Sequence, residues 1–147
     1  MCGIVGILNS SSLKNNSIDI LKKLEYRWYD SDGISLFSKE RIKTIKSVGK
    51  ISELKNKAQN VSDKNFYGVI GHTRWATHGV VSKNNAHPFA NDDLTLVCNG
   101  IIENYRKIQN RFVEIPKNIQ SDTEISFYFL TYFCLLYTSP SPRDVSR

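Results

Sequence analysis

The chain has 147 residues, of which 20 are Lys or Arg, 14 are Asp or Glu and 40% are apolar, as expected for one modest globular domain. No apolar run reaches the roughly 18 residues that cross a bilayer, so we expect neither a membrane nor a secretory protein. The formal charge of +6 is scattered rather than gathered into a stripe, which argues against nucleic-acid binding. Three cysteines without a C-x2-C pair fit neither a disulfide framework nor a zinc site. We expect a cytoplasmic location.

The N-terminal half predicts strands and helices in mixed order. The short apolar run 2–8 predicts a buried strand. Ser17 is a candidate cap for a helix that ends near Tyr26, with Ile18, Ile20, Leu21 and Leu24 at helical spacings. A loop then leads to further predicted elements, which are strands at 34–37 and 41–48 and a helix at 52–60 carrying Leu54 and Ala58 on one face.

The C-terminal half predicts strands at 67–73 and 94–98, separated by a polar loop long enough to be functional. After Asn99-Gly100, a helical spacing links Ile101, Tyr105, Ile108 and Phe112. Ser121 and Glu124 have capping-box spacing ahead of an apolar helix over 125–133. The irregular order of strands and helices favours an α+β fold over a doubly wound parallel sheet.

The last 14 residues, 134–147, do not continue the preceding pattern. They contain the Ser-Pro-Ser-Pro string and resemble the translation of a transposon-end sequencing adapter. We therefore expect a partial natural domain over 1–133 followed by a non-native, adapter-derived tail. A natural disordered C-terminus is the alternative.

Cys2 is a candidate nucleophile because the small residue after Met1 permits removal of the initiator methionine. An α-amino group titrates at roughly 7.7 to 8.0, so a free N-terminal amine can take the thiol proton of the same residue. Asn99 and Gly100 follow a predicted strand and can supply a side-chain amide and a backbone N–H to an oxyanion. The alternatives are an incidental buried cysteine and an ordinary Asn-Gly turn.

The segment 72–79 (HTRWATHG) concentrates two imidazoles, a guanidinium, an indole and two hydroxyls at a strand exit. Arg74 can grip a carboxylate in bidentate fashion, and Trp75 can close over a ligand. Asp122 would supply the anion for a ligand that also carries an ammonium, although complementing a helix dipole is its simpler role. A structural ion pair, a core Trp and satisfied loop histidines remain the alternatives for this segment.

We expect no metal and no cofactor. The histidines are spaced unlike a helical zinc pair, and no cysteine lies beside them in the sequence. The residues concerned are His72, His78 and His87.

Six blocks in linear order resemble the glutamine-hydrolysing domain of class II amidotransferases, which are N-terminal nucleophile hydrolases. The blocks are MCGIVGIL (1–8), LEYRWYDSDG (24–33), HTRWATHG (72–79), NNAHPF (84–89), NGIIENY (99–105) and SDTE (121–124). The sequences of these blocks are most similar to those of the family members that form an amino sugar phosphate, and less similar to those of the purine-pathway and asparagine-forming members.

The resemblance implies a four-layer αββα sandwich in which Cys2 attacks the glutamine amide and a thioester forms. It implies that Asn99 and Gly100 stabilise the oxyanion, and that substrate contacts come from Arg74, Trp75, Thr77, His78 and Asp122. It also implies an ammonia channel to a sugar-phosphate isomerase domain that this chain lacks, in a homo-oligomeric parent.

Three departures from the family pattern matter. Trp28 replaces a glycine near the expected pocket, and Cys98 replaces a histidine beside the oxyanion donors. The third departure is truncation, which we expect to leave sheet edges exposed. Another class II amidotransferase, or a domain that binds glutamine without turnover, therefore remains an alternative to an active amino-sugar enzyme.

Overall fold

The computed structural model describes residues 2–27, 30–113 and 115–138, with the side chains of residue 27 and of 134–138 left out. The substitution at Trp28 and residues 139–147 of the predicted tail lie outside this described part. The elements in chain order are β1 (Gly3–Leu8), α1 (Leu13–Lys23), a 3-10 turn (Glu25–Arg27), β2 (Ser31–Phe37), β3 (Ile42–Val48), α2 (Ile51–Ala58), β4 (Gly68–Arg74), β5 (Phe89–Ala90), β6 (Thr95–Leu96), α3 (Tyr105–Arg111) and α4 (Asp122–Thr138).

Four strands form one antiparallel sheet in the order β1-β4-β2-β3. The strand β4 pairs with β1 on one side and with β2 on the other, so that Thr73 lies opposite both Gly3 and Asp32. Because β4 forms hydrogen bonds to a neighbouring strand along each of its two edges, its register is firmly fixed. The C-terminal end of β4 is therefore a well-defined platform for the residues that follow it.

Helices α1 and α2 cover one face of this sheet. The side chains of Leu21, Ile34 and Leu54 are completely buried in the shared core. Gly71 on β4 allows the close packing, because a Cβ there would lie 2.9 Å from the Val5 side chain and 3.0 Å from that of Leu21. Apolar burial of this kind supplies most of the stability of the layer.

The opposite face carries a small sheet formed by β5 and β6, with α4 beyond it. The Phe89 ring of β5 lies 6.4 Å from the Phe127 ring of α4. Gly33 lets the segment before β5 approach β2, because a Cβ at Gly33 would come within 2.3 Å of the His87 carbonyl oxygen. The layers follow one another as helix, sheet, sheet and helix, which confirms the predicted α+β fold and its αββα layering.

Helix α1 begins five residues earlier than the sequence pattern predicts, at Leu13 with Ser12 as its N-cap. Leu13 is buried and extends the apolar face of the helix toward the N-terminus. Ser17 is therefore not a cap, and its buried hydroxyl donates to the Lys14 carbonyl oxygen at 2.8 Å inside the helix. The prediction that Ile20 belongs to the packed face was also wrong, since this side chain is exposed.

The second half of the chain differs from prediction in three places. Strand β6 is only two residues long and Cys98 lies outside it, while α3 starts at Tyr105 and leaves Ile101 exposed. Within the described part of the chain, no capping-box hydrogen bond joins Ser121 and Glu124. The backbone of α4 continues to Thr138 and so includes the first five residues of the predicted tail. None of the described helices is long and apolar enough to cross a membrane.

The carboxyl group of Asp32 on β2 is fully buried on the sheet. The Ser47 hydroxyl donates to its Oδ1 at 2.7 Å, and no described residue hydrogen-bonds its Oδ2. Burial raises the pKa of Asp32 to about 6, against the lowering effect of Ser47, with Glu25 and Glu53 raising it further and Lys57 lowering it. The folded protein therefore holds this proton to a higher pH than the unfolded chain does.

We predict that Asp32→Asn removes the part of the fall in unfolding free energy with rising pH that comes from ionisation of Asp32. In the wild type, the favourable contribution is complete below the unfolded pKa of about 4 and is lost as pH rises through about 6. The variant should therefore gain roughly 1–3 kcal/mol relative to wild type between about pH 4 and about pH 7.5, measured by urea unfolding. Asp92→Asn, at an exposed position, is the control. An equal effect of Asp32→Asn at both pH values would contradict the prediction.

Candidate active site

The Cys2 thiol lies at the C-terminal end of β4. The Trp75 backbone N–H donates to Cys2 Sγ at 3.3 Å, and Cys2 Sγ lies 3.8 Å from the Trp75 carbonyl oxygen. One residue further, the Gly3 N–H donates to the Thr73 hydroxyl at 3.0 Å. These contacts hold the Cys2 side chain and the residue after it at the end of β4.

Asn99 reaches the same place from the other half of the chain. Its side-chain amide donates to the Cys2 carbonyl oxygen at 3.4 Å, across 97 residues of sequence. Gly100 follows directly, and a Cβ there would meet only Cys98 Sγ, at 3.7 Å. Asn99 and Gly100 are both exposed, so their donors are accessible to a ligand beside Cys2. The structure thus brings the predicted nucleophile and the predicted oxyanion donors together.

Arg74 is buried at the end of β4, with only 4% of its surface exposed. Its Nη2 donates to the His78 carbonyl oxygen, and its Nη1 lies 3.9 Å from Asp30 Oδ1. Within the described residues Nη1 has no hydrogen-bond partner. A buried guanidinium with an unused donor is suited to bind an anionic group of a ligand.

Asp30 is a site residue that the sequence analysis missed. Its Oδ2 accepts a hydrogen bond from the Ala76 N–H, and its own N–H donates to the Arg74 carbonyl oxygen at 2.8 Å. Asp30 therefore holds both the guanidinium of Arg74 and the backbone around it. The only signal in the sequence was its place within the block 24–33.

The loop after Arg74 carries the remaining predicted substrate residues. Trp75 is 46% exposed, Thr77 is exposed, and the half-buried His78 ring packs edge-on against Tyr105 at 5.2 Å. Gly79 has φ +79, a conformation that favours glycine. Asn85 donates to the Val80 carbonyl oxygen at 2.9 Å and to Gln120 Oε1 at 3.2 Å, and so holds the end of this loop. These two supporting residues were not predicted.

Asp122 is buried at the start of α4, and its Oδ2 accepts a hydrogen bond from the Ile102 N–H at 2.9 Å. The carboxylate thus holds the loop that follows Asn99 and Gly100, besides lying in the first turn of the helix. Tyr105 connects the two charged residues, because its N–H donates to the Ile102 carbonyl oxygen at 3.2 Å while its ring packs on His78. Arg74 and Asp122 therefore belong to one continuous set of contacts.

Cys98 immediately precedes Asn99 and Gly100, which we call the oxyanion loop, and its thiol lies near Asp122 and Thr123 of α4. Burial raises the pKa of the Cys98 thiol, and the nearby Asp122 carboxylate acts in the same direction. The Cys98 carbonyl oxygen is 3.0 Å from His72 Nε2, and the Cys98 N–H donates to His87 Nδ1 at 3.5 Å. The histidines thus contact protein backbone, and the described part of the chain contains no group of three or more His, Cys, Asp or Glu side chains arranged to hold a metal.

Comparison with known proteins shows extensive sequence similarity. The chain is 40% identical over its whole length to glutamine–fructose-6-phosphate aminotransferase (isomerizing) of Bartonella henselae, of which it covers 24%. It is 45% identical to the enzyme of that name from Francisella tularensis over 84% of the chain and 20% of the relative. The Helicobacter pylori protein of that name is 42% identical over 88% of the chain and 22% of the relative. No family model matches the chain.

Solved structures support the same fold. The glutamine phosphoribosylpyrophosphate amidotransferase of Bacillus subtilis matches 88% of this chain and 28% of its own, with a TM-score of 0.61 and 24% identity. At 24% identity this likeness shows the fold, while the sequence matches support the resemblance to the class II glutamine amidotransferases. Within that class, its sequence relatives are the glutamine–fructose-6-phosphate aminotransferases, and the chain spans about a fifth to a quarter of their length. The family resemblance stated from the six blocks is confirmed.

We predict that Asp30→Asn destabilises the loop at the end of β4. The variant leaves the buried Arg74 guanidinium without its ionic partner and weakens the hydrogen bond to the Ala76 N–H. Hydrogen bonds to charged groups contribute about 1.5–3 kcal/mol, so the free energy of unfolding should fall by roughly that amount. Urea unfolding measures this change, with the exposed Asp93→Asn as the control. A change within about 0.5 kcal/mol of the control would show that the contact is not stabilising.

Proposed function

We propose that this chain hydrolyses the side-chain amide of glutamine, with Cys2 as the nucleophile. The contact between Asn99 and Cys2 carries the proposal. The Asn99 side-chain amide donates to the Cys2 backbone carbonyl oxygen, and so brings an amide donor beside the residue that carries the thiol, across 97 residues of sequence. A thiol beside accessible amide donors is the arrangement that acyl transfer through a thioester requires. The names of the sequence relatives support glutamine as the substrate.

The chemistry follows from these groups. Removal of Met1 leaves Cys2 with a free amine, which takes the thiol proton as the sulfur attacks the amide carbon. The oxyanion that forms accepts hydrogen bonds from the Asn99 side chain and the Gly100 N–H. The protonated amine then donates its proton to the leaving nitrogen, and ammonia departs to leave a thioester. Water attacks the thioester and releases glutamate and the free thiol.

Substrate recognition is assigned to the two charged residues. Arg74 binds the α-carboxylate through its unused Nη1, while Asp122 binds the α-ammonium through Oδ1, which makes no hydrogen bond within the described residues. Thr77 and His78 line the pocket, and the half-exposed Trp75 closes over the bound glutamine. A site with one cation and one anion selects a zwitterionic amino acid over a simple amide.

The parent protein is proposed to use this ammonia for amino-sugar synthesis. The sequence relatives are named for glutamine and fructose 6-phosphate, and they are four to five times longer than this chain. The missing sugar-phosphate isomerase domain would receive ammonia through an internal channel and form glucosamine 6-phosphate. We also propose that the parent is a cytoplasmic homo-oligomer, and that residues 134–147 are not native to it.

A domain that binds glutamine without turnover is a second candidate. The observation in its favour is Cys98, whose thiol replaces the imidazole that the family usually places beside the oxyanion donors. Glutamine binding measured by calorimetry, without release of ammonia, would support this second candidate over the first.

We predict that Cys2→Ala abolishes glutaminase activity while leaving glutamine binding within about threefold of wild type, because the sulfur makes bonds only during the reaction. Ammonia release measures the activity, and intact mass establishes whether Met1 has been removed. Cys134→Ala controls for loss of a thiol elsewhere in the sequence. Unchanged activity in Cys2→Ala, or activity in material that retains Met1, would exclude the mechanism.

We predict that Asn99→Ala lowers kcat by roughly 10²- to 10³-fold, because one oxyanion donor is lost. The KM for glutamine should change little, since Arg74 and Asp122 still bind the substrate. Steady-state glutaminase kinetics measure both constants, with Asn91→Ala, in the turn between β5 and β6, as the matched amide control. A rise in KM as large as the expected fall in kcat, with kcat itself unchanged, would assign Asn99 to substrate binding instead.

A further inference from the structure

Two buried imidazoles lie directly behind the oxyanion loop. His72 on β4 is completely buried, His87 is 4% exposed, and their ring centroids are 4.3 Å apart. Both rings contact the backbone of Cys98, which immediately precedes Asn99 and Gly100. His72 Nε2 is 3.0 Å from the Cys98 carbonyl oxygen, and His87 Nδ1 accepts from the Cys98 N–H at 3.5 Å. The one residue before the oxyanion donors is thus held at both of its backbone polar atoms.

These contacts fix the protonation of both rings. A carbonyl oxygen can only accept, so Nε2 of His72 must carry a proton. A backbone N–H can only donate, so Nδ1 of His87 must be unprotonated. Burial lowers the pKa of His72 to about 4 and that of His87 to about 2, and the Arg74 charge acts in the same direction on both. Both rings are therefore neutral near pH 7, and each carries its proton on Nε2.

The same strand locates the nucleophile and the oxyanion loop. On β4, His72 holds Cys98, while the next residue, Thr73, accepts the hydrogen bond from the Gly3 N–H. Just beyond β4, the Trp75 N–H contacts the Cys2 sulfur. His87 is seated independently on β2, where Gly33 leaves room for its backbone. The distance between sulfur and oxyanion donors is thus set by adjacent positions of one paired strand.

We propose that His72 and His87 are positioning residues that fix the Asn99 and Gly100 donors relative to Cys2 by holding the backbone of Cys98. This inference rests on the proposed glutaminase function. Oxyanion donors act only when they lie at hydrogen-bond distance from the developing charge, and a displacement of about 1 Å can cost about 100-fold in rate. Both imidazoles are buried, so a role through the Cys98 backbone fits them better than direct contact with a substrate.

The first test compares His72→Ala with His72→Gln in the full chain. The amide nitrogen of glutamine can take the place of the Nε2 donor, whereas alanine leaves the Cys98 carbonyl without its partner. We expect His72→Ala to lower kcat by about 10- to 100-fold with KM within about threefold of wild type, and His72→Gln to recover most of the loss. Val69→Ala, at a buried position of the same strand facing the helices, controls for simple destabilisation. Loss of kcat in Val69→Ala equal to that in His72→Ala, or no recovery in His72→Gln, would overturn the positioning role.

A double-mutant cycle with Asn99→Ala tests whether His72 acts through the oxyanion donors. If it does, His72→Ala should lower kcat much less in the Asn99→Ala background than in the wild type. Multiplicative effects of the two substitutions would show that His72 acts elsewhere and would overturn the inference.

A spectroscopic readout separates this inference from the proposed function. Long-range ¹H–¹⁵N correlation of the imidazoles in the wild-type chain should show both His72 and His87 neutral and protonated at Nε2 down to about pH 5. Either ring protonated at Nδ1 would overturn the positioning contact even in an active enzyme. The expected tautomers without any ammonia release would instead overturn the proposed function while leaving the contact to Cys98 established.

Discussion

The pairing of β4 with strands on both of its sides is the constraint on which the site depends. Thr73 lies opposite Gly3 of β1 and Asp32 of β2, so the end of this strand cannot shift toward either neighbour without breaking both ladders. A Cβ at Gly3 would lie 2.8 Å from the Leu24 side chain and 2.9 Å from the Thr73 hydroxyl. The first residues of the chain are therefore packed against α1 and β4 together. Cys2, which has no ladder partner of its own, acquires a defined position from this neighbour.

Electrostatics around the strand end follow from how each charge is compensated. Arg74 is buried but has Asp30 and a carbonyl oxygen as partners, so its charge is kept in the interior. Among the described residues, the neighbouring imidazoles of His72 and His87 have no such anionic partner, and burial together with the charge of Arg74 keeps them neutral. One positive charge is thus retained in the interior at the end of β4, and the neutral imidazoles add no second charge beside it.

Much of the fold could be predicted from the sequence because many strands and helix faces correspond to local apolar patterns. The strand at 2–8 and the helix around Leu54 and Ala58 are examples, and both elements form. The strand is not buried throughout as predicted, because β1 lies at the edge of the sheet and exposes Ile4 and Leu8. Helix α1 was misplaced because Ser17 reads locally as a cap, whereas burial of Leu13 against the sheet extends the helix past it. Packing against the sheet sets the start of α1, and the local sequence pattern does not indicate it.

The site was predictable only in part, and for a different reason. Arg74 and Cys2 stand out by residue type, and their blocks resemble the family in linear order. Asp30 and Gln120 carry no such mark, because their roles arise from contacts with Arg74, Ala76 and Asn85 that sequence spacing cannot encode. Supporting residues of this sort are defined by three-dimensional proximity alone. The sequence therefore indicated the candidate site residues that carry reactive or charged groups, and not the residues that hold them in place.

The replacement at Cys98 shows how the backbone can carry a function while the side chain varies. The hydrogen bonds from His72 and to His87 use the carbonyl oxygen and the N–H of residue 98, which every amino acid except proline provides. A thiol in place of an imidazole therefore leaves the attachment of the oxyanion loop unchanged. What the replacement alters is the polarity next to Asp122, because burial and that carboxylate both raise the pKa of the Cys98 thiol and keep it neutral. A neutral, small side chain adds no charge beside the Asp122 carboxylate. The departure from the family pattern is thus compatible with the geometry that the loop requires.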